Sequence, residues 1–257
     1  MRANPVKAKL ARGEAAFGTM IFEFLSPGLP QILAGAGAEF VLYDMEHSGF
    51  GLQEMKEQFA LCRGLGLVPV VRPPGKDYQY AARLLDLGAM GLMFQMVESA
   101  EEAAKLVAWT RYPPHGVRGA MFGGAHDDYG GGAIADTMAK AHERTLILAL
   151  IETAKGVANV EEIMAVPGID VAHLGHADLS LSMGIPGDFA NPKLQAAIDR
   201  LLAACQKHGK PAACLAANAK TGRDWMARGF KMVSYSYDIA LIADGLRSGI
   251  AGLRGNA

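Results

Sequence analysis

The amino-acid sequence predicts an α/β fold, a (β/α)₈ TIM barrel formed as a single domain over residues 1–257. Three observations carry this. Eight short apolar runs alternate with longer helical patterns. The runs are apolar at nearly every position, as parallel strands buried on both faces are. The length of 257 residues matches one such barrel, which takes roughly 250. An open doubly wound sheet is the structural alternative.

The units follow in order. A strand over 17–22 leads to a helix over 27–36, 40–44 leads to 52–65, 68–72 to 77–87, and 90–95 to 99–110. In the second half, 146–151 leads to 154–166, 170–174 leads after a loop to 192–208, 211–215 to 220–228, and 231–235 to 238–253. Gly37, Gly66, Gly88, Gly168, Gly209 and Gly229 each stand just ahead of the next strand, where a left-handed residue commonly ends a helix. One connection breaks the rhythm: residues 111–144 contain Gly-Gly-Ala-His-Asp-Asp-Tyr-Gly-Gly-Gly and a helical stretch over 133–142. Loops of this length are usually functional or mobile, and this one reads as a lid or a subunit contact.

Composition narrows the function classes. Hydrophobic residues make up 51% and charged residues 20%, with a net charge of −1 and no basic block. That supports a buried core and disfavours nucleic acid or an anionic membrane surface as partner. Cys62, Cys205 and Cys214 fit neither a zinc site nor a disulfide framework. They read as buried free thiols, which suits a cytoplasmic location. Residues 1–12 are polar and basic, so no signal peptide is expected, and no apolar run approaches membrane-spanning length.

In barrels of this class the active site lies at the C-terminal ends of the strands. The polar residues there are Asp44, Glu46 and His47 after the second strand, Arg72 after the third, Gln95 after the fourth, Glu152 after the fifth, Gly175, His176 and Asp178 after the sixth, and Asn218 after the seventh. Glu152 and Asp178 are acids directly behind apolar runs, where an unpaired carboxylate is costly. They read either as ligands of a hard cation such as Mg²⁺ or Mn²⁺ or as helix N-caps. Arg72, before Pro73 and Pro74, reads as a grip for a carboxylate or oxyanion, or as half of an internal salt bridge. His47, three residues after Asp44, reads as a proton carrier oriented by that aspartate, or as a loop cap. The spacing His173-X-X-His176 is a weak metal signal and carries no assignment.

These residues sit inside larger motifs: Ala34-Gly-Ala-Gly, Tyr43-Asp-Met-Glu-His47, Pro69-Val-Val-Arg-Pro73, Thr110-Arg-Tyr-Pro-Pro, Gly116-Val-Arg-Gly119, Ile151-Glu-Thr153 and Gly175-His-Ala-Asp-Leu-Ser180. In this order and spacing the chain resembles the HpcH/HpaI aldolase family, metal-dependent class II pyruvate aldolases, over residues 17–246. The resemblance implies a lyase that cleaves a 4-hydroxy-2-oxo acid to pyruvate and an aldehyde through a metal-stabilised enolate, in aromatic-compound catabolism. It implies magnesium, manganese or cobalt held by Glu152 and Asp178. It gives Arg72 the enolate oxygen, His47 with Asp44 the proton of the aldol hydroxyl, and Glu46 a metal-bound water. The backbone near Gly175, Ala177 and Asp178 would bind the substrate carboxylate, and Leu215 would line the pocket. The assembly implied is a homo-oligomer, a hexamer or trimer, with the last helix against a neighbour.

Two positions depart from the family pattern. Leu150 stands where a glutamine commonly supports the pyruvate site, and His176 where a proline is common. Gln95 is a candidate replacement for the missing amide. These changes keep two alternatives open: a decarboxylase or other lyase of oxaloacetate-like acids, and a 2-oxo-acid-binding protein without catalysis. No lysine closes a strand, so a Schiff-base route has no evident nucleophile.

Overall fold

A computed structural model describes residues 1–255. Eight parallel strands close into a barrel in chain order: β1 (Ala16–Ile21), β2 (Phe40–Asp44), β3 (Val68–Arg72), β4 (Gly91–Phe94), β5 (Leu146–Ile151), β6 (Val171–Leu174), β7 (Ala212–Ala216) and β8 (Phe230–Tyr237). The helices are α1 (Pro5–Ala11), α2 (Leu29–Gly35), α3 (Leu52–Leu61), α4 (Tyr78–Leu87), α5 (Ala100–Thr110), α6 (Ile134–Arg144), α7 (Ala154–Ala158), α8 (Val160–Ala165), α9 (His176–Ser182), α10 (Pro192–Lys207), α11 (Ala219–Arg228) and α12 (Asp238–Leu253). All six predicted glycines have positive φ. The three cysteines are free and buried. Among the described residues no helix is long and apolar enough to cross a membrane.

Side chains alternate across each strand, which yields two cores. Val41, Tyr43, Val71, Leu92, Ile147 and Ala149 pack outward under the helices. Leu42, Val70, Met93, Leu148, Leu150 and Val171 fill the barrel interior. Helix α1, where the sequence suggested only a polar tail, closes the bottom: Val6 and Leu10 pack with Ala16, Phe40, Val68, Met90 and Leu146 at the strand starts. Its cap residue Asn4 donates from Nδ2 to the carbonyls of Met90 and Arg144. The helix expected over 154–166 is two helices, because Asn159 ends α7 and caps α8. Asn159 also donates from Nδ2 to the Glu98 carbonyl.

The long connection leaves α5 and returns through α6 to β5, so it begins and ends at the bottom of the barrel. Arg118 pairs with Asp86 on α4 at 2.6 Å. The Gly119 N–H donates to Tyr78 Oη at the start of α4, and buried Arg144 donates to the His126 and Gly88 carbonyls. These contacts hold the segment along the outside of the barrel, where it cannot act as a lid over this chain's own mouth.

The seam between β1 and β8 is irregular: the register shifts between Gly18 and Met20, and Ser236 sits at φ +53°. Asp238, the first residue of α12, bridges this break. Its carboxylate accepts from the N–H groups of Phe22, Glu23 and Phe24 at 2.8–3.1 Å. Replacing it leaves three donors unpaired at a half-buried chain exit. Asp238→Ala is expected to lower unfolding stability by about 2–3 kcal/mol, read as a lower urea midpoint, with Asp238→Asn losing less.

Candidate active site

Strand alternation decides which side chains reach the barrel mouth. Two residues beyond each interior apolar position stand Asp44 after Leu42, Arg72 after Val70, Gln95 after Met93, Glu152 after Leu150 and Leu215 after Ala213. A cavity of about 200 Å³ opens at this end, with Arg72, Glu152, Asp178 and His47 around it and Leu150 and His173 among its lining. Gly175, Ala177 and Leu215 also line it. The 111–144 connection contributes no lining residue.

Asp44 is fully buried and organises one side. Its Oδ1 accepts from the backbone N–H groups of Glu46 at 2.7 Å and His47 at 2.9 Å. Its Oδ2 accepts from Arg72 Nη2. The second guanidinium branch, Nη1, lies 3.1 Å from Glu46 Oε2. Arg72 is therefore the internal salt bridge and a cavity-lining cation at once. The His47 imidazole is not bonded to the Asp44 carboxylate. Asp44 fixes the His47 backbone instead, and the acid beside the ring is Glu46, 3.6 Å from Nε2. The ring itself is mostly exposed, 60% by side chain, and is free to meet a substrate.

Glu152 and Asp178 form the other side. Neither is a helix cap: Thr153 caps α7 through its Oγ1, and the N-cap of α9 is Gly175. Glu152 is buried, and its Oε1 accepts from Met96 N–H at 2.8 Å. That donor is aimed by a φ of +47° at Met96, a conformation uncommon for a long side chain. Gly175 is required here. A Cβ on it would stand 2.6 Å from Glu152 Cβ and 2.7 Å from Oε2. Burial pushes the Glu152 carboxyl up to about 7, and the negative charges of Asp178 and Glu46 add to the rise against Met96 N–H and Arg72. Four acids thus meet one arginine, an excess of negative charge that a cation would relieve. Among the described residues no three His, Cys, Asp or Glu side chains gather as a metal cage. Two carboxylates suit a hard ion that keeps most of its own water.

Gln95 lies apart from these. It is buried, donates from Nε2 to the Pro73 carbonyl at 3.1 Å, and is not among the cavity's lining residues. Leu150 does line the cavity. The His176 ring packs edge-on against Phe189 at 5.0 Å, and burial lowers its pKa, opposed by Asp178. Asn218 is the N-cap of α11, accepting from Thr221 N–H. Met96 gave no sequence signal, because its contribution is a backbone N–H.

The raised carboxyl has a consequence for stability. A folded-state value of about 7 against an ordinary 4.5 means that Glu152 favours folding while protonated, and that this contribution is lost as pH rises from 4.5 through 7. In chelator-treated protein, Glu152→Gln should therefore unfold less readily than the parent at pH 8, by up to about 3 kcal/mol, and equally at pH 4.5. Urea titrations at the two pH values read this. Equal midpoints at both would count against a buried, charge-crowded Glu152.

The HpcH/HpaI aldolase/citrate lyase family model matches residues 20–244. The chain is 38% identical over 239 residues to a hydroxypyruvate/pyruvate aldolase of Chromohalobacter salexigens, covering 93% of each chain. It is 33% identical over 240 residues to a 4-hydroxy-2-oxo-heptane-1,7-dioate aldolase of Escherichia coli, covering 93% of this chain and 91% of that one. It superposes on the crystal structure of an HpcH/HpaI aldolase from Desulfitobacterium hafniense with a TM-score of 0.92 at 30% identity, covering 97% and 96% of the two chains. The chain belongs to the HpcH/HpaI aldolase/citrate lyase family.

Proposed function

We infer that this protein is a divalent-metal-dependent aldolase that reversibly cleaves a 4-hydroxy-2-oxo acid into pyruvate and an aldehyde. The observation that carries the reading is the convergence of Glu152, Asp178, Arg72 and His47 on one cavity. Relatives named as aldolases support it. Mg²⁺, Mn²⁺ or Co²⁺ would be held by Glu152 and Asp178, and when bound it supplies Lewis acidity toward the 2-oxo group.

The chain's own residues divide the rest. Cleavage removes the proton from the C4 hydroxyl, breaks the C3–C4 bond and sends that electron pair toward the C2 oxygen. The hydroxyl becomes the aldehyde carbonyl, and C3 then takes up a proton to give pyruvate. Arg72 is fixed by Asp44 and Glu46, so it meets the charge developing on the C2 oxygen without reorganising. His47 accepts the C4 hydroxyl proton, with the Glu46 carboxylate 3.6 Å from its Nε2. The N–H groups of Ala177 and Asp178, in the first turn of α9, suit the substrate carboxylate.

A coupled assay for pyruvate release over a panel of 4-hydroxy-2-oxo acids should give turnover with Mn²⁺ or Mg²⁺ and none after chelation. Turnover that survives chelation, or none on any panel member, would sink the reading. Arg72→Ala should lower kcat about 100- to 1,000-fold. His47→Ala should lower aldol cleavage about 100- to 10,000-fold while sparing oxaloacetate decarboxylation, which moves no hydroxyl proton. Equal losses in both reactions would remove the proton-carrier role.

The same reading includes a cytoplasmic homo-oligomer, a hexamer or trimer. Its support is α12, whose Ile239, Leu241, Ile242, Leu246, Ile250 and Leu253 are exposed, more apolar surface than a monomer usually leaves on one helix. Light scattering should give a multiple of the 27.2 kDa chain, and Leu246→Glu with Ile250→Glu should shift it toward the monomer. A monomeric parent would remove this part.

A further inference from the structure

Below its charged rim the cavity is apolar: Met20, Met93 and Leu150 line it at the level of the barrel interior. One residue at that level is polar. His173 on β6 stands in register with Leu150 on β5, is only 4% exposed and lines the cavity. No side chain, and no backbone group in good hydrogen-bond geometry, reaches Nδ1 or Nε2 among the described residues; the nearby Leu174 backbone only favours the protonated ring. Buried polar side chains are nearly always paired. An imidazole with both nitrogens orphaned beside a substrate-sized cavity is a group waiting for a ligand atom.

The chemistry of the ring narrows the ligand. Burial, with Arg72 and His176 adding to it, holds the His173 pKa down to about 3. The ring is therefore neutral, with one nitrogen donating and the other accepting. An anionic oxygen is served better by Arg72, which is fixed at the rim. A hydroxyl fits a neutral imidazole in either tautomer, because it both donates and accepts. Leu150 removes the amide expected at this level, and its register neighbour is the polar group that remains.

We propose that His173 is a specificity residue, whose imidazole hydrogen-bonds a hydroxyl on the 2-oxo acid and favours 3-hydroxy-2-oxo acids over pyruvate as the aldol donor. The proposal rests on the aldolase reading, and its test separates the two. Aldol addition to one fixed aldehyde is measured with Mn²⁺ and either pyruvate or 3-hydroxypyruvate as donor. His173→Phe should lower the ratio of kcat/KM for 3-hydroxypyruvate to that for pyruvate by about tenfold to a hundredfold, and His173→Asn should restore part of it. Independently of turnover, 3-hydroxypyruvate should shift a ring-nitrogen resonance of His173 in ¹⁵N-histidine-labelled parent protein, and pyruvate should shift it less. An unchanged ratio in a folded His173→Phe overturns the proposal, as does a ring signal insensitive to 3-hydroxypyruvate. If His173→Phe does not fold, the resonance of the parent decides. Failure of the parent to use either donor overturns the aldolase reading, while the ring signal still decides whether His173 holds the hydroxyl.

Discussion

A closed barrel of short parallel strands admits charge on its inward positions at the rim, where substrate, solvent or a counter-ion can compensate it. Each strand here obeys that constraint. Leu42, Val70 and Leu148 lie inside, and Asp44, Arg72 and Glu152 follow at or just beyond the strand ends. The two-residue period that packs the core therefore also aims the acids and the arginine at one point. No separate scaffold is needed to gather residues from distant parts of the chain.

The charges at that point do not balance among themselves. Asp44 is satisfied: two backbone N–H groups and Arg72 occupy its oxygens. Its role is to fix Arg72 and the chain through His47, which is why a fully buried carboxylate can persist there. Glu152 has a backbone N–H from Met96 and the charge of Arg72 against its burial and the like charges of Asp178 and Glu46. The pair Asp44–Arg72 is thus a finished structural interaction, whereas Glu152 with Asp178 is an unfinished one. An unfinished pair of acids beside a fixed arginine fits chemistry that builds negative charge on a substrate oxygen.

Much of this was legible in the sequence. Strands β2, β3 and β5 match their predicted bounds, because an apolar run ending in a charged residue marks both the strand and its exit. The rim acids, Arg72 and His47 were legible for the same reason. Helix α1 was not, since two apolar residues, Val6 and Leu10, make too short a pattern to signal burial, although Asn4-Pro5 is a helix start. Nor was α9, whose first turn reads equally as a loop. Spacing places Asp44 beside His47 but does not show that the backbone N–H of the histidine, not its ring, donates to the aspartate. Met96 acts through a backbone N–H at positive φ, and no residue type encodes that. Length alone lets the 111–144 connection read as a lid or a subunit contact, but a helix-to-strand connection starts and ends at the face opposite the site, which excludes a lid over this chain's own mouth.

The two layers of the cavity separate two tasks. The rim handles charge, and every ionisable group there is explained by a hydrogen bond, an ion pair or crowding with another acid. The layer beneath handles shape and polarity. Leu150 makes that layer more apolar, while His173 across the strand pair makes it polar at one point. A change confined to the lower layer leaves Arg72, Glu152 and Asp178 where the interior alternation puts them. Substrate choice can then vary without disturbing the electrostatics of bond cleavage.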